Sequence, residues 1–136
     1  MPYHVVEAIS DSLNKYRKSL NGAKLLILGV AYKKDVDDLR ESPSLKIMQL
    51  LQQRGAQLDY NDPYFPQLHK MRHYNFEHMK SVPLSPQTLG QYDAAIIATD
   101  HSSYDYNAIV DGSKVVVDTR NATRRVTRNR IRIVAC

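Results

Sequence analysis

The segment KLLILGVAYKKDVDDLRESPSLKIMQLL, residues 24–51, decides the fold. It opens with an uninterrupted apolar run at 25–28, which is typical of a strand buried on both faces of a parallel sheet. It closes with apolar residues spaced to cover one face of a helix. Ser42-Pro43 marks the start of that helix, because a Ser hydroxyl can cap free amides and Pro is tolerated at the first helical position. The segment therefore predicts a buried strand, a charged loop and a helix.

The charged loop lies where open α/β sheets bind ligands, at the carboxyl end of a strand. The helix that follows it favours anions, through its dipole and its free N–H groups. Lys33, Lys34, Arg40 and Arg120 are the cations available to hold a phosphate or pyrophosphate, and an Arg can do so with two hydrogen bonds. The acidic neighbours of Arg40 make an internal ion pair an equal alternative for it. Tyr32 could stack on a base or sugar, or shield the sheet edge.

The rest of the chain alternates strand and helix patterns, which predicts an α/β fold. Further strands are expected at 57–60, 94–99 and 115–118, with a weak edge strand at 131–134. Further helices are expected at 3–18, 85–91 and 104–110, whereas 64–84 has no clear pattern. The expected architecture is a three-layer, Rossmann-like domain with a mainly parallel sheet and helices on both faces.

Three polar clusters, at 32–41, 99–102 and 118–121, follow predicted strands. Right-handed crossovers put the carboxyl ends of parallel strands at one edge, so these clusters should meet there.

The dinucleotide motif G-x-G-x-x-G, the phosphate loop G-x-x-x-x-G-K-[ST] and the G-x-S-x-G elbow are all missing from the sequence. Asp100, His101 and Ser102 are sequence neighbours, which rarely form a nucleophilic triad, so loop capping is the expected role. No catalytic residue is predicted.

Composition fits one domain of 136 residues that can bury a core without disulfides or metals. The single cysteine, Cys136, fits a reducing compartment, and neither a secretory signal nor a membrane-length apolar run is found in the sequence. We therefore expect a cytoplasmic protein with no membrane partner.

His69 and His73 share a helical spacing, but no carboxylate framework accompanies them, and no metal site is predicted.

The net charge of +5 comes largely from an arginine-rich tail after Asn121. Such a tail can bind nucleic acid or simply be a solvated terminal segment. Because no helix-turn-helix, RNA-binding aromatic motif or zinc-finger spacing accompanies it, the solvated segment is favoured and no nucleic-acid partner is predicted.

The first predicted helix carries the apolar stripe Val6, Ile9, Leu13 and Tyr16. A helix ahead of the first strand is not part of a minimal β-α-β unit, so it either packs on the sheet or ends a longer helix from a preceding domain. We assign residues 1–22 to the end of a linking helix from a missing upstream domain, and 23–136 to the ligand-binding domain.

The segment GVAYKKDVDDLRESPSLKIMQLL resembles the one that opens the C-terminal domain of the UDP-glucose/GDP-mannose dehydrogenase family. Nearly the whole chain shares this resemblance, through MPYHVVEAISDSLN, DYNDPYFP, YDAAIIATDHSSYDY and VVVDTRNA. The VDDLRESPSLKI and DTRN forms look more like the branch that acts on UDP-N-acetylhexosamines.

The resemblance implies a domain that binds the nucleotide part of a UDP-sugar. Such enzymes oxidise the primary alcohol of the sugar to a carboxylate, forming uronates for polysaccharide biosynthesis. NAD and the catalytic cysteine belong to upstream domains, so this chain alone should be inactive and should carry no cofactor. Tyr32, Lys33 and Arg120 match the UDP-sugar-binding positions, with a one-residue offset open for Arg120. Asp38, Arg40, Glu41 and Ser42 belong to a block that is expected mainly to shape the loop.

Three hypotheses stay open on the sequence: a UDP-sugar-binding domain, a packing or oligomer domain with negligible ligand affinity, and a nucleic-acid-binding module. In the second, an exposed Val6-Ile9-Leu13 stripe would drive self-association, for example into a homodimer. In the third, affinity would fall steeply with salt and show little preference for uridine.

Overall fold

The computed structural model describes residues 2–31, 35, 42–68 and 74–136. Strand and helix alternate along the chain after an N-terminal helix. The helices are α1 (Pro2–Asn14), α2 (Pro43–Gln53), α3 (Pro86–Leu89) and α4 (Tyr106–Gly112). The strands are β1 (Lys24–Leu28), β2 (Gln57–Asn61), β3 (Ala94–Ile97), β4 (Val116–Asp118) and β5 (Ile133–Ala135), with a 3₁₀ turn at Arg130–Arg132.

The five strands form one parallel sheet in the order β2-β1-β3-β4-β5. The chain turns outward from β1 to β2 and then crosses back to β3. The β1/β3 boundary is therefore the topological switch point, where α/β sheets open a crevice for ligands. The predicted edge strand is confirmed as β5, which pairs with β4 in parallel.

Both faces of the sheet are covered, as the apolar runs predict. Alternate strand residues point to opposite faces, so Leu25 and Ile27 join one core while Leu26 and Leu28 join the other. Helices α1 and α2 cover the first face, and α3 and α4 cover the second. The three-layer α/β prediction is confirmed.

Helix α1 packs within this core. Val6, Ile9 and Leu13 are each at most 3% exposed, whereas Tyr16 lies past the helix end and is 52% exposed. The expectation that this stripe is available for self-association is wrong, because the stripe is already covered by α2 and the sheet.

The segment after β2 protects one edge of the sheet. Its described part carries Phe65, Leu68, Phe76 and Met79 into the first core. It also forms bridges with β2 and with itself, pairing Tyr60 with Ser81 and Gln67 with Lys80. His69 and His73, the two histidines considered as metal ligands, lie outside the described residues.

No helix in the described part of the chain is long and apolar enough to cross a membrane.

Candidate functional site

The loops that follow β1, β3 and β4 meet at the carboxyl edge, as the polar clusters predicted. Gly29 brings the first two together: with a φ of +89°, it lies so close to Thr99 that a Cβ there would stand 2.5 Å from the Thr99 Cβ. Only glycine fits such a backbone approach at a left-handed position. The Thr99 hydroxyl then donates to the Ala31 carbonyl at 2.9 Å.

Asp62, just after β2, holds the start of the loop after β1. Its buried Oδ2 accepts the Val30 amide at 2.8 Å and the Ala31 amide at 3.2 Å. The same oxygen lies 2.9 Å from His101 Nε2, and Oδ1 accepts the Tyr64 amide at 2.8 Å. No function was predicted for Asp62, which the sequence presents only within the DYNDPYFP segment.

Asp62 also bears on whether this crevice fits a dinucleotide cofactor. In a dinucleotide-binding turn, backbone amides after the first strand face the pyrophosphate. Here those amides donate to a buried carboxylate, whose negative charge would repel a phosphate. The described residues at the start of this turn therefore do not fit the pyrophosphate of NAD.

His101 is fully buried and joins Asp62 to the far side of the loop. Its Nδ1 accepts the amide of Asp35 at 2.8 Å. Since Nδ1 accepts, the ring proton lies on Nε2 and is donated to Asp62. Asp35 in turn accepts the amide of Ser102 at 2.8 Å and its hydroxyl at 2.6 Å. The Ser102 hydroxyl thus donates to the Asp35 carboxylate and not to His101, which fits loop capping and not a nucleophilic triad.

Ser42 lies at the N-cap position of α2, but the expected capping bond is wrong. Its hydroxyl makes no bond to the helix amides. It donates instead to the Val30 carbonyl at 2.6 Å, just past the end of β1. Ser42 therefore joins the two ends of the loop after β1.

Asp118, at the end of β4, organises the turn that carries Arg120. Its Oδ1 accepts the amides of Arg120 at 3.0 Å and Ala122 at 3.1 Å. Its Oδ2 accepts the Thr123 amide at 2.8 Å and the Thr123 hydroxyl at 2.6 Å. Burial by itself would raise the pKa of this carboxyl, but the hydrogen bonds from Thr123, Arg120 and Ala122 outweigh it and hold the pKa below its ordinary value.

The Arg120 side chain is fixed at one point and otherwise open. Its Nε donates to the Ala98 carbonyl at 3.1 Å. Its two terminal nitrogens have no partner within the described ranges, and the residue is exposed. It lines a cleft of about 310 Å³ beside the start of α2, together with Pro2, Val5, Pro43, Ile47, Ala98 and Thr119.

The other predicted site residues cannot be placed. Tyr32 and Lys33 (binding) and Asp38, Arg40 and Glu41 (loop shaping) lie outside the described residues. The structure brings Arg120 and Ser42 to the same edge of the sheet, on either side of the switch point. The described residues contain no group of three or more His, Cys, Asp or Glu that could hold a metal ion.

Most of the arginine-rich tail is exposed, as a solvated segment would be, but three of its arginines also hold it to the fold. Arg130 donates to the carbonyls of Thr123 and Val126, and Arg128 pairs with Asp111 at 2.6 Å. Arg132 donates to the carbonyls of Val110, Asp111 and Ser113 at the end of α4. Local sequence could not show this, because the acceptors come from distant residues.

A parallel five-stranded sheet with helices on both faces places this domain in the Rossmann-like α/β fold class. The model for the UDP binding domain of the UDP-glucose/GDP-mannose dehydrogenase family matches residues 26–125, and the chain belongs to this family. The expected family is thus confirmed.

Two similar proteins with named activities are much longer than this chain. A UDP-N-acetyl-D-mannosamine dehydrogenase of Methanococcus maripaludis is 30% identical over 131 residues, 89% of this chain and 27% of that protein. A UDP-N-acetyl-D-glucosamine 6-dehydrogenase of Pseudomonas aeruginosa is 28% identical over 104 residues, 76% of this chain and 24% of that protein. The chain thus spans about a quarter of the length of these relatives.

The fold is shared with a solved UDP-N-acetylmannosamine dehydrogenase from Pyrococcus horikoshii, with a TM-score of 0.75. The match has 24% identity and covers 98% of this chain and 30% of the other.

Proposed function

We propose that this chain is the UDP-sugar-binding domain of an NAD-dependent nucleotide-sugar dehydrogenase, which oxidises the primary alcohol of the sugar to a carboxylate. Family membership supports the nucleotide-binding role. In this proposal NAD and the catalytic cysteine reside in upstream domains, to which residues 1–22 lead. The sequence lacks the dinucleotide motif, and the turn after β1 does not fit a pyrophosphate, so this domain supplies binding and not hydride transfer.

The observation that carries the proposal is that Arg120 is held in place while the end of its side chain stays available to a ligand. Its backbone amide is fixed by Asp118 and its Nε by Ala98. Both terminal nitrogens lack partners in the described part of the chain, so they can donate to a phosphate of UDP. A side chain held at Nε loses less conformational entropy on binding than a free one.

Tyr32 and Lys33 complete the proposed site from the loop after β1. In this proposal Lys33 contacts the phosphates and Tyr32 the uridine. Ser42, with Asp38, Arg40 and Glu41, shapes the loop. Bound in this way, the sugar would be presented to the upstream domains, which close over it, orient it and exclude water.

The sugar is proposed to be an N-acetylhexosamine. The two relatives described above carry names of this substrate class. The site of action is proposed to be the cytoplasm, where a chain with one exposed free cysteine fits a reducing environment.

Isothermal titration of the chain with UDP, against ADP and GDP at the same salt, tests the proposal. We expect saturable binding of UDP, weakened at least tenfold in Lys33→Ala and in Arg120→Ala, since each loses a charge-assisted bond. Arg54→Ala is the matched control, because it removes the same charge from an exposed pair with Glu7 at the C-terminal end of α2. Equal heats for the three nucleotides, or equal losses in all three variants, would contradict the proposal. No heat for any nucleotide would favour the packing-domain alternative.

A further inference from the structure

A second cavity, of about 400 Å³, opens between the loop after β3 and the turn after β4. It is larger than the cleft that Arg120 lines and shares no lining residue with it. Its volume falls within the range of small-molecule sites in proteins, roughly 300–1,000 Å³. All of its lining residues lie in the described part of the chain.

The two walls of this cavity carry opposite charges. Asp100 and Asp105 belong to the loop after β3, whereas Arg124 and Arg125 belong to the turn after β4. These four formal charges cancel, so the cavity as a whole favours neither anions nor cations. Each wall presents one sign of charge, however, and a ligand that spans the cavity meets both.

The fold makes little use of these charges. Among the described residues, the side chains of Asp100 and Arg125 have no hydrogen-bond or ion-pair partner, so the loop-capping role expected for Asp100 is not found there. Arg124 and Asp105 each make one bond, at 3.0 Å and 3.1 Å, to the backbone of its own wall. No ion pair between described residues joins one wall to the other.

Both walls are held in place by buried groups. The Tyr106 hydroxyl donates to the carbonyl of buried His101 at 2.8 Å, which fixes the loop after β3. On the other wall, the arginine pair lies between Thr123 and Val126, which are both buried and joined by a backbone bond of 3.0 Å. A ligand between two fixed walls loses less binding free energy to ordering the protein.

Tyr106 indicates that the two walls act on the same small space. Burial raises the pKa of its hydroxyl above the ordinary value, nearby carboxylates including Asp100 raise it further, and Arg124 opposes them. A carboxylate of one wall and a guanidinium of the other therefore both lie near this hydroxyl, and a short ligand can reach both.

We infer that this cavity binds a small zwitterion of the amino-acid type, whose protonated amine faces Asp100 and whose carboxylate faces Arg124 and Arg125. A guanidinium suits a carboxylate because it can donate two parallel hydrogen bonds. Either contact alone is weak, since exposed charges are screened by solvent. When one molecule carries both groups, the second contact forms at a high effective concentration. The inference goes beyond the proposed function, and the binding it describes does not involve UDP.

NMR titration of the ¹⁵N-labelled chain with amino acids of increasing length tests the inference. Glycine, γ-aminobutyrate and ε-aminocaproate carry the same two charges at three separations, while butyrate and butylamine each carry one of them. We expect at least one of the three amino acids to shift the amide signals of Asp100, Tyr106, Arg124 and Arg125 along a saturable curve. Its affinity should exceed that of either single-charge compound by at least about tenfold. The inference is overturned if none of the three does so, or if butyrate or butylamine binds as tightly.

Substitutions that remove the charge of one wall separate the two contacts. Asp100→Asn should weaken binding of the best amino acid at least about fivefold and leave the response to butyrate unchanged. The double variant Arg124→Gln/Arg125→Gln should weaken it at least about fivefold and leave the response to butylamine unchanged. Asp11→Asn and Arg54→Gln are matched controls, because they remove the same charges from exposed residues on α1 and at the end of α2. Equal losses in the wall variants and the controls would overturn the assignment to this cavity.

UDP distinguishes this cavity from the proposed nucleotide site. In a chain saturated with the amino acid that binds best, UDP should leave the shifted signals of Arg124 and Arg125 in place, because the cavity and the Arg120 cleft share no residue. Displacement of the amino acid by UDP would overturn the existence of a separate site. A chain that binds the amino acid but no UDP would contradict the proposed function and leave this inference standing.

Discussion

The Asp118 carboxylate accepts the backbone amide of Arg120 at 3.0 Å, two residues further along the chain. This bond fixes the backbone of Arg120, on which the proposed phosphate contact depends. The carboxylate makes three further bonds, to Ala122 and Thr123, so one buried side chain sets the whole turn.

Replacing Asp118 should therefore destabilise the fold strongly. Asp118→Ala leaves four donors without their acceptor, and we expect the free energy of unfolding in urea to fall by about 3 kcal/mol. Thr123→Val is the matched comparison, since it removes the hydroxyl bond alone and should cost about 1 kcal/mol. Equal losses in the two variants would mean that the carboxylate does not organise the turn.

The lowered pKa of Asp118 predicts how stability changes in acid. A carboxyl whose folded-state pKa lies below its ordinary value of 3.8 stabilises the fold above that pH. The stabilisation is lost as pH falls through the lower, folded-state pKa. Urea unfolding between about pH 5 and pH 2 should therefore show stability falling with acid, and Asp118→Asn should reduce that slope. The pKa of Asp93 is also lowered, so some dependence of stability on pH should remain in the variant. If Asp118→Asn left the pH dependence unchanged, Asp118 would not be its source.

Gly29 and Gly22 provide a matched pair for the close approach at the switch point. Both have left-handed backbones, with φ of +89° and +84°. A Cβ at Gly29 would also stand 2.7 Å from the Thr99 carbonyl oxygen, whereas nothing lies within 4 Å of one at Gly22. We expect Gly22→Ala to lower the free energy of unfolding by about 1 kcal/mol and Gly29→Ala by about 3 kcal/mol or more. Similar costs would show that β1 and β3 can separate at this point without penalty.

Arg132 should be a structural arginine. Its Nη1 donates to the Asp111 carbonyl at 2.8 Å and to two neighbouring carbonyls, at the end of α4 where a cation is favoured by the helix dipole. We expect Arg132→Met to lower the free energy of unfolding by about 1.5 kcal/mol. Arg125→Met, at an exposed arginine nearby, should change it by less than about 0.5 kcal/mol. If the two variants behave alike, the carbonyl contacts contribute nothing to stability.

The sequence predicts the three central strands well, because β1, β3 and β4 are nearly continuous apolar runs. The two short helices were predicted at 85–91 and 104–110, close to their observed bounds, and each has a cap at its start: Ser85 accepts the Thr88 amide, and Asp105 accepts the Ala108 amide. These signals are local, since each cap and its partner lie three residues apart.

The contacts that build the site are not local, and the sequence analysis missed them. Asp62 and His101 are 39 residues apart in the chain and meet only because β2 and β3 flank β1. The same is true of Ser42. Its position at the helix start could be predicted from the sequence, but its bond to the Val30 carbonyl, twelve residues earlier, could not. Arg120 was named from its position after a strand and from the family resemblance, but its fixed Nε depends on Ala98 in a neighbouring strand end.

The most direct test of the account is the NMR titration of the ¹⁵N-labelled chain with UDP. We expect the amide signals of Asp35 and of residues 99–102 and 119–121 to shift along a saturable curve, because these residues lie around the carboxyl edge of the sheet. The amide signals of Gly22, Gly55 and Asp93, at the opposite edge of the sheet, should not shift. Shifts confined to that opposite edge, or a spectrum that UDP leaves unchanged, would contradict nucleotide binding by this domain.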